Sequence, residues 1–132
     1  MAKIDTILLV DDDNITNFIN ARLIRKLNIA NQVQVSLNGQ EALSYLSGIE
    51  KRCPDLIFLD INMPVMNGNE LLTKIKTTFE LCDIPCFMLS TSHNPRHINS
   101  ALAAGAEKYI VKPAIYSDFK NLLEKTFHEI AM

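Results

Sequence analysis

The stretch DLIFLDINMPVMNG, residues 55–68, decides the fold. Leu56 to Leu59 is a short, unbroken run of apolar strand-formers that stops at Asp60. Pro64 and the pair Asn67-Gly68 then demand a loop. An all-apolar run of this length suits a strand covered on both faces, as parallel strands are. Asp60 then sits at the carboxyl end of a central strand, where open α/β sheets bind their ligands. Taken alone, Asp60 reads equally well as a cap or turn residue. The rest of the chain decides.

Four further strands flank this one. Ile7–Val10 is apolar and ends in Asp11-Asp12-Asp13. Val33–Leu37 alternates, as a half-exposed strand does. Ile84–Leu89 ends in Ser90-Thr91-Ser92, and Tyr109–Val111 ends at Lys112-Pro113. Helices fill the intervals. Asn14 is placed to cap the first, with Ile15, Phe18, Ile19, Leu23 and Leu27 as its inward stripe. Ala42, Leu43 and Leu46 mark the second, and Leu71, Leu72, Ile75 and Phe79 the third. Pro95 opens the fourth, with Ile98, Ala101 and Leu102 inward and Gly105 ending it. Tyr116, Phe119, Leu122, Leu123, Phe127 and Ile130 line the fifth, with Ser117 or the residues before it as cap. Five strands alternating with five helices predict right-handed crossovers and a parallel sheet covered on both faces. The order 2-1-3-4-5 is the expected one, with a crevice at the ends of strands one and three.

Bulk composition narrows the functional classes. The chain has 132 residues, 48% hydrophobic and 21% charged, which fits one globular domain spanning residues 1–132 with its core at about 7–130. A net charge of −2 offers no electrostatic case for nucleic acid or anionic membrane. Neither a signal peptide nor a membrane-length apolar run is visible, so a cytoplasmic protein is expected. Cys53, Cys82 and Cys86 lack a second Cys/His pair at ligand spacing and read as reduced packing thiols.

Four strands end in polar residues on one predicted edge: Asp11-Asp12, Asp60, Ser90-Thr91 and Lys112. Three carboxylates in one crevice repel, and a hard divalent cation offsets that repulsion; an all-oxygen site favours Mg2+ or Mn2+. Lys112 adds a mobile positive charge and Ser90 a donor hydroxyl. These are the parts of phosphoryl transfer to a carboxylate. No glycine-rich phosphate loop follows the first strand.

The motifs LLVDDD (8–13), LIFLDINMPVMNG (56–68), IPCFMLST (84–91) and ALAAGAEKYIVKP (101–113), with the closing amphipathic helix, resemble the receiver domain of two-component response regulators. The likeness runs from about Ile7 to Ile130 and is to a stand-alone, chemotaxis-regulator-like receiver without an output domain. It implies a flavodoxin-like (βα)5 three-layer sandwich. It also implies that Asp60 accepts a phosphoryl group from a sensor kinase histidine or a phosphotransfer protein. Asp11 and Asp12 would organise Mg2+, with Asp60 and the backbone carbonyl of Asn62 also on the metal. Ser90 matches the switch hydroxyl, Tyr109 the switch aromatic and Lys112 the phosphoryl-binding lysine, whose bond to Pro113 is expected to be cis. A downstream effector of unknown identity would read the surface of the fourth helix, fifth strand and fifth helix, with the protein a monomer or a phosphorylation-dependent dimer.

Some positions depart from the pattern or fall outside it. Thr91 stands where a small residue is usual and is expected to narrow access for small donors. Ala114 stands where an aromatic often follows Lys-Pro. Asn62 and Ser92 occupy positions that tune dephosphorylation, Asn62 foremost. Asn67 and Asn94 read as turn residues, Met63 and Pro64 as loop-shaping, and His93, His97 and His128 as outside any relay. Asp11-x-Asp13 also resembles the nucleophile and acid of haloacid dehalogenase-like phosphatases, but an acidic pair beyond Lys112 is missing and DINMPVMNG would go unexplained. A receiver used only as an unphosphorylated interaction module is disfavoured because Asp11, Asp12, Asp60, Ser90 and Lys112 are all present.

Overall fold

Side chains alternate across each central strand, and the two resulting apolar faces build two cores. A computed structural model describes residues 4–47, 53–61, 66–78, 81 and 83–131. Its strands are β1 (Ile4–Val10), β2 (Ala30–Ser36), β3 (Leu56–Asp60), β4 (Cys86–Ser90) and β5 (Lys108–Val111). The helices are α1 (Asn14–Lys26), α2 (Gly39–Leu46), α3 (Gly68–Lys76), α4 (Pro95–Ala103) and α5 (Tyr116–Ala131). All pairs are parallel, in the order β2-β1-β3-β4-β5. That is the predicted α/β sandwich.

Ile7, Leu9, Leu56, Phe58 and Phe87 face α1 and α5, where they meet Leu23, Ile24, Phe119, Leu123 and Phe127. Leu8, Val10, Ile57, Leu59 and Met88 face the other way, onto Ala42, Leu71, Leu72, Ile75 and Ala101. Phe58 stands edge-on to both Phe87 and Phe127, with ring centroids 5.7 and 5.8 Å apart. Cys86 is buried in the second core, where burial pushes its thiol to about 11, consistent with a packing role. Cys82, Phe79, Met63 and Pro64 lie outside the described residues, as does the side chain of Ile130.

Local stops follow the turn chemistry. Asn28 ends α1 in the left-handed region, φ 57°, with Ile29 N–H donating to the Ile24 carbonyl and closing the last turn. Gly105 ends α4 at φ 113°, as expected from its place in the sequence. Asn67 caps α3 through Glu70 N–H, and Asn94 caps α4 through Arg96 N–H.

Several expectations about side-chain direction and helix ends are corrected. Asp13, not Asn14, caps α1: its carboxylate accepts from Ile15 N–H and from Thr16 Oγ1. Ser117 lies inside the first turn of α5 rather than capping it, since Ile115 supplies the first carbonyl, to Phe119 N–H. The inward face of α1 is Asn17, Asn20, Ala21, Leu23 and Ile24, so of the expected stripe Leu23 is buried while Ile15, Phe18 and Ile19 face solvent at 70, 66 and 42% exposure. Leu102 and Tyr116 are exposed as well. No cis peptide bond occurs among the described residues, so Lys112-Pro113 is trans, the form intrinsically preferred by about 0.5–1 kcal/mol.

Gly68, the first residue of α3, lies against the backbone at the end of β3. A Cβ there would overlap the Asp60 carbonyl oxygen and lie 2.9 Å from Ile61 Cα, both backbone atoms that cannot step aside. At Gly39 the obstacle is the flexible Met66 side chain, with Sδ 2.7 Å away. Gly68→Ala is therefore expected to cost about 1–3 kcal/mol in urea denaturation, and Gly39→Ala distinctly less. Equal losses would contradict this account of Gly68.

Candidate functional site

The sheet register delivers the polar strand ends to one edge. Val10 pairs with Leu59, Asp60 with Leu89 and Ser90 with Val111, so Asp11, Asp60, Ser90 and Lys112 emerge side by side. Asp11, Asp12 and Asp60 each place a carboxylate oxygen within 4.8 Å of the others. Asp11 and Asp60 are half-buried and Asp12 is exposed. With Ser90, Thr91 and Lys112 they line one cavity of about 270 Å³. The predicted constellation is assembled, except Asn62, which lies outside the described residues.

The acidic turn is held from several sides. Asp11 N–H donates to the Ser36 carbonyl, and Asn17 Nδ2 donates to the Asp11 carbonyl at 2.8 Å. The Asp11 carboxylate accepts Asp13 N–H at 2.9 Å. Burial raises the Asp11 carboxyl above its usual range, and the neighbouring Asp12 charge pushes the same way. The Asp13 N–H bond and the Lys112 charge offset part of this. Asp13 behaves oppositely. The hydrogen bonds from Thr16 and Ile15 hold it below the usual carboxylate range, as befits a cap.

Ser90 is buried, and its Oγ accepts Ser92 N–H at 3.1 Å. Tyr109, half-buried, donates its hydroxyl to the Ser92 carbonyl at 2.9 Å. Lys112 is anchored through its N–H to the Ser90 carbonyl at 2.7 Å, and its ammonium lies 5.4 Å from the centroid of Phe119. Thr91 is exposed on the cavity wall. His93, His97 and His128 do not line it.

Two residues of the site escaped the sequence reading. Asn17 and Asn20 are 3 and 5% exposed, line the cavity, and keep their Oδ1 atoms buried without a hydrogen-bond partner. The available signal was the polar series Asn14, Asn17, Asn20 at three-residue spacing, which shares one helix face. The apolar residues of the same helix masked it.

The donor set is all oxygen, strongly anionic and partly desolvated, which fits a hard divalent cation. The edge as a whole is that of a parallel α/β protein with its ligand site at the topological switch point. Residues 7–125 match the response regulator receiver domain family, and the chain belongs to that family. The two-component response regulator ARR17 of Arabidopsis thaliana is 35% identical over 127 residues, covering 88% of this chain and 80% of that protein. Among solved structures, the phosphorylated cyanobacterial phytochrome response regulator RcpA is 32% identical, TM-score 0.79, covering 92% of this chain and 90% of that one. The Mn2+-bound form of response regulator Rcp1 is 26% identical, TM-score 0.78, with the same two coverages. The protein is a receiver domain of two-component, phosphorylation-dependent signalling.

The raised Asp11 carboxyl fixes the sign of a pH effect. A raised folded-state value contributes stability below the unfolded carboxylate range, and that contribution is lost as pH rises through the Asp11 value. In EDTA at neutral pH, Asp11→Asn is thus expected to be more stable than the wild type, the difference shrinking toward pH 3. Mg2+ at a hundredfold its dissociation constant should add about 2.7 kcal/mol to the wild type and little to the variant. Urea denaturation with and without Mg2+ checks both; a wild type indifferent to Mg2+ would contradict the cation site.

Proposed function

We propose that Asp60 accepts a phosphoryl group from a histidine of a sensor kinase or phosphotransfer protein, in a Mg2+-dependent reaction that sets a signalling switch. The observation that carries this reading is the convergence of three carboxylates, a serine hydroxyl and a lysine on one cavity at the carboxyl edge of the sheet. An Asp60 carboxylate oxygen bonds to phosphorus as the phosphorus–nitrogen bond breaks, and the imidazole leaves with that electron pair. Asp11, Asp12, Asp60 and the Asn62 carbonyl would hold Mg2+, with Mn2+ as a substitute; the bound cation neutralises phosphoryl charge. Lys112 swings from Phe119 to the phosphoryl oxygens, and Ser90 donates its hydroxyl to another. The chain catalyses only its own phosphorylation and dephosphorylation, and Asn62 sets the lifetime beside the attacking water.

Donor and effector engage different faces. The exposed Ile15, Phe18 and Ile19 of α1 and Ile115 and Tyr116 before and in α5 form an apolar rim. A second cavity of about 170 Å³, lined by Thr16, Ile19, Asn20, Lys112, Pro113 and Phe119 among others, joins that rim to the Asp60 cavity. A partner that brings its histidine to Asp60 covers this rim. The effector reads the α4-β5-α5 face, to which Tyr109 on β5 connects the site through Ser92. The reading places the switch in the cytoplasm, as a monomer or phosphorylation-dependent dimer.

Intact mass after incubation with a small phosphodonor and Mg2+ tests the acceptor. One phosphoryl group should add to the wild type and none to Asp60→Asn. Labelling that persists in Asp60→Asn but is lost in Asp11→Asn would overturn the reading in favour of a phosphatase-like nucleophile. With a histidine-phosphorylated protein as donor, Phe18→Asp should slow transfer at least about tenfold, equivalent to about 1.4 kcal/mol, while labelling by the small donor stays unchanged. Slowing of both would point to damage at the site rather than lost docking. Asn62→Ala should change the decay rate of the labelled protein.

A further inference from the structure

The second turn of α1 buries a polar group that has nothing to bond. Asn20 is 5% exposed, and its Oδ1 is buried without a hydrogen-bond partner. Asn17, one turn earlier, gives its Nδ2 to the Asp11 carbonyl, which fixes that amide. No such bond among the described residues holds the Asn20 amide, so it is able to turn about its last side-chain bond. A buried acceptor left unmet is costly, and a donor is to be sought nearby.

Position identifies that donor. Among the described residues, three side chains line both the Asp60 cavity and the second cavity beside it: Thr16, Asn20 and Lys112. The Thr16 hydroxyl is already given to the Asp13 carboxylate at 2.8 Å. Lys112 carries three donors and no acceptor. Its ammonium lies 5.4 Å from the centroid of Phe119, which lines the second cavity. Lys112 thus has an aromatic face on one side, the carboxylates on the other, and Asn20 in the wall common to both.

We propose that Asn20 is a positioning residue for Lys112: its amide oxygen accepts the Lys112 ammonium when that group stands in the Asp60 cavity. The other two N–H groups are then left for carboxylate or phosphoryl oxygens. A neutral acceptor suits this place, because it satisfies the ammonium without adding a further negative charge beside three carboxylates. An apolar residue there would leave one N–H of a partly desolvated ammonium unmet, and that loss is larger for a charged donor than for a neutral one. The pairing is the same whether the other bonds of Lys112 go to carboxylates or to a phosphoryl group. Its consequence for phosphoryl binding rests on the receiver reading.

The test uses the full chain as wild type, Asn20→Leu and Lys112→Met. Leucine replaces the amide by apolar groups of similar shape, so in metal-free buffer Asn20→Leu should be at least as stable to urea as the wild type. A clear loss of stability would assign Asn20 to the fold and overturn the proposal. The Asn20 side-chain amide signals, identified in NMR spectra by their absence from Asn20→Leu, should shift in Lys112→Met; unchanged signals overturn the pairing. Beryllofluoride with Mg2+, a tetrahedral mimic of a carboxylate-bound phosphoryl group, gives the second readout. In that complex the Lys112 ammonium protons, protected by their hydrogen bonds, should be visible in the wild type and lost in Asn20→Leu, which should bind beryllofluoride about tenfold more weakly. An ammonium signal that is absent from the wild type, or survives in Asn20→Leu, overturns the pairing, and an unchanged affinity overturns its consequence for binding. Weaker binding of Mg2+ alone on adding Asn20→Leu to Lys112→Met would assign the oxygen to water on the cation, which also overturns the proposal. A wild type that does not bind beryllofluoride overturns the receiver reading instead, leaving the Asn20 amide signals to decide the pairing.

Discussion

The constraint on which everything else depends is the gathering of three carboxylates within 4.8 Å of one another. At that spacing a pair of like charges repels by between about 1 kcal/mol with water-like screening and about 3.5 kcal/mol at an effective dielectric of 20. The fold must hold the carboxylates together against that force, and the backbone on either side of them supplies much of the hold. The turn after β1 is tied to Ser36 and to Asn17, the end of β3 is backed by Gly68, and both strands are sealed by apolar layers on either side. An apolar core of this kind is close-packed and resists displacement, so relief comes from outside charge. Burial pushes the Asp11 carboxyl upward and the Asp12 charge adds to it, the direction expected where carboxylates share a partly desolvated crevice.

The first helix shows what the site imposes on its neighbours. A helix packed on a sheet normally turns its apolar stripe inward. Here the first two turns of α1 do the reverse, burying Asn17 and Asn20 and exposing Ile15, Phe18 and Ile19. Each buried, unpartnered Oδ1 costs about 1–3 kcal/mol relative to a satisfied one. The arrangement is intelligible because the inner face of those turns abuts the acidic cavity, where an apolar wall would further desolvate the carboxylates. Beyond Asn20 the helix returns to rule, with Ala21, Leu23 and Ile24 in the core. The break in patterning therefore stops where the site stops.

This explains which parts of the molecule were legible in the sequence. The strands were, because an apolar run buried on both faces ends where polarity begins, and here that boundary is the site itself: Val10 to Asp11, Leu59 to Asp60, Val111 to Lys112. Starts were read less well, since Asp5 and Thr6 of β1 or Gln32 of β2 carry no apolar signal. The direction of a helix was readable only where the core alone decides it, as for Phe119, Leu123 and Phe127. Near the cavity, periodicity gave the wrong face for α1, and it placed Leu102 and Tyr116 inward when both are exposed. Apolar spacing records which residues share a face, not which neighbour that face meets. The cap of α1 was open for a related reason: Asp13, which reads as a solvated loop or cap residue, and Asn14 have equal chemistry for capping, and in the fold Asp13 takes the bonds from Ile15 and Thr16.

The turn between β4 and α4 completes the design as a matter of geometry. A switch needs a part whose two arrangements differ in contacts, and the proposed function assigns that part to Ser90 and Tyr109. Ser90 is at the last residue of β4, just where the ladder ends, and it is paired with Val111 immediately before Lys112. Its oxygen bonds forward to Ser92 rather than across the sheet. Ser90 is buried and Tyr109 packs against one of the two cores, so this turn lies where the site meets the core. The same turn accepts the Tyr109 hydroxyl from β5 and opens α4, so the end of β4 is tied to two outer elements. A switch that moved Ser90 would act on both elements through these bonds.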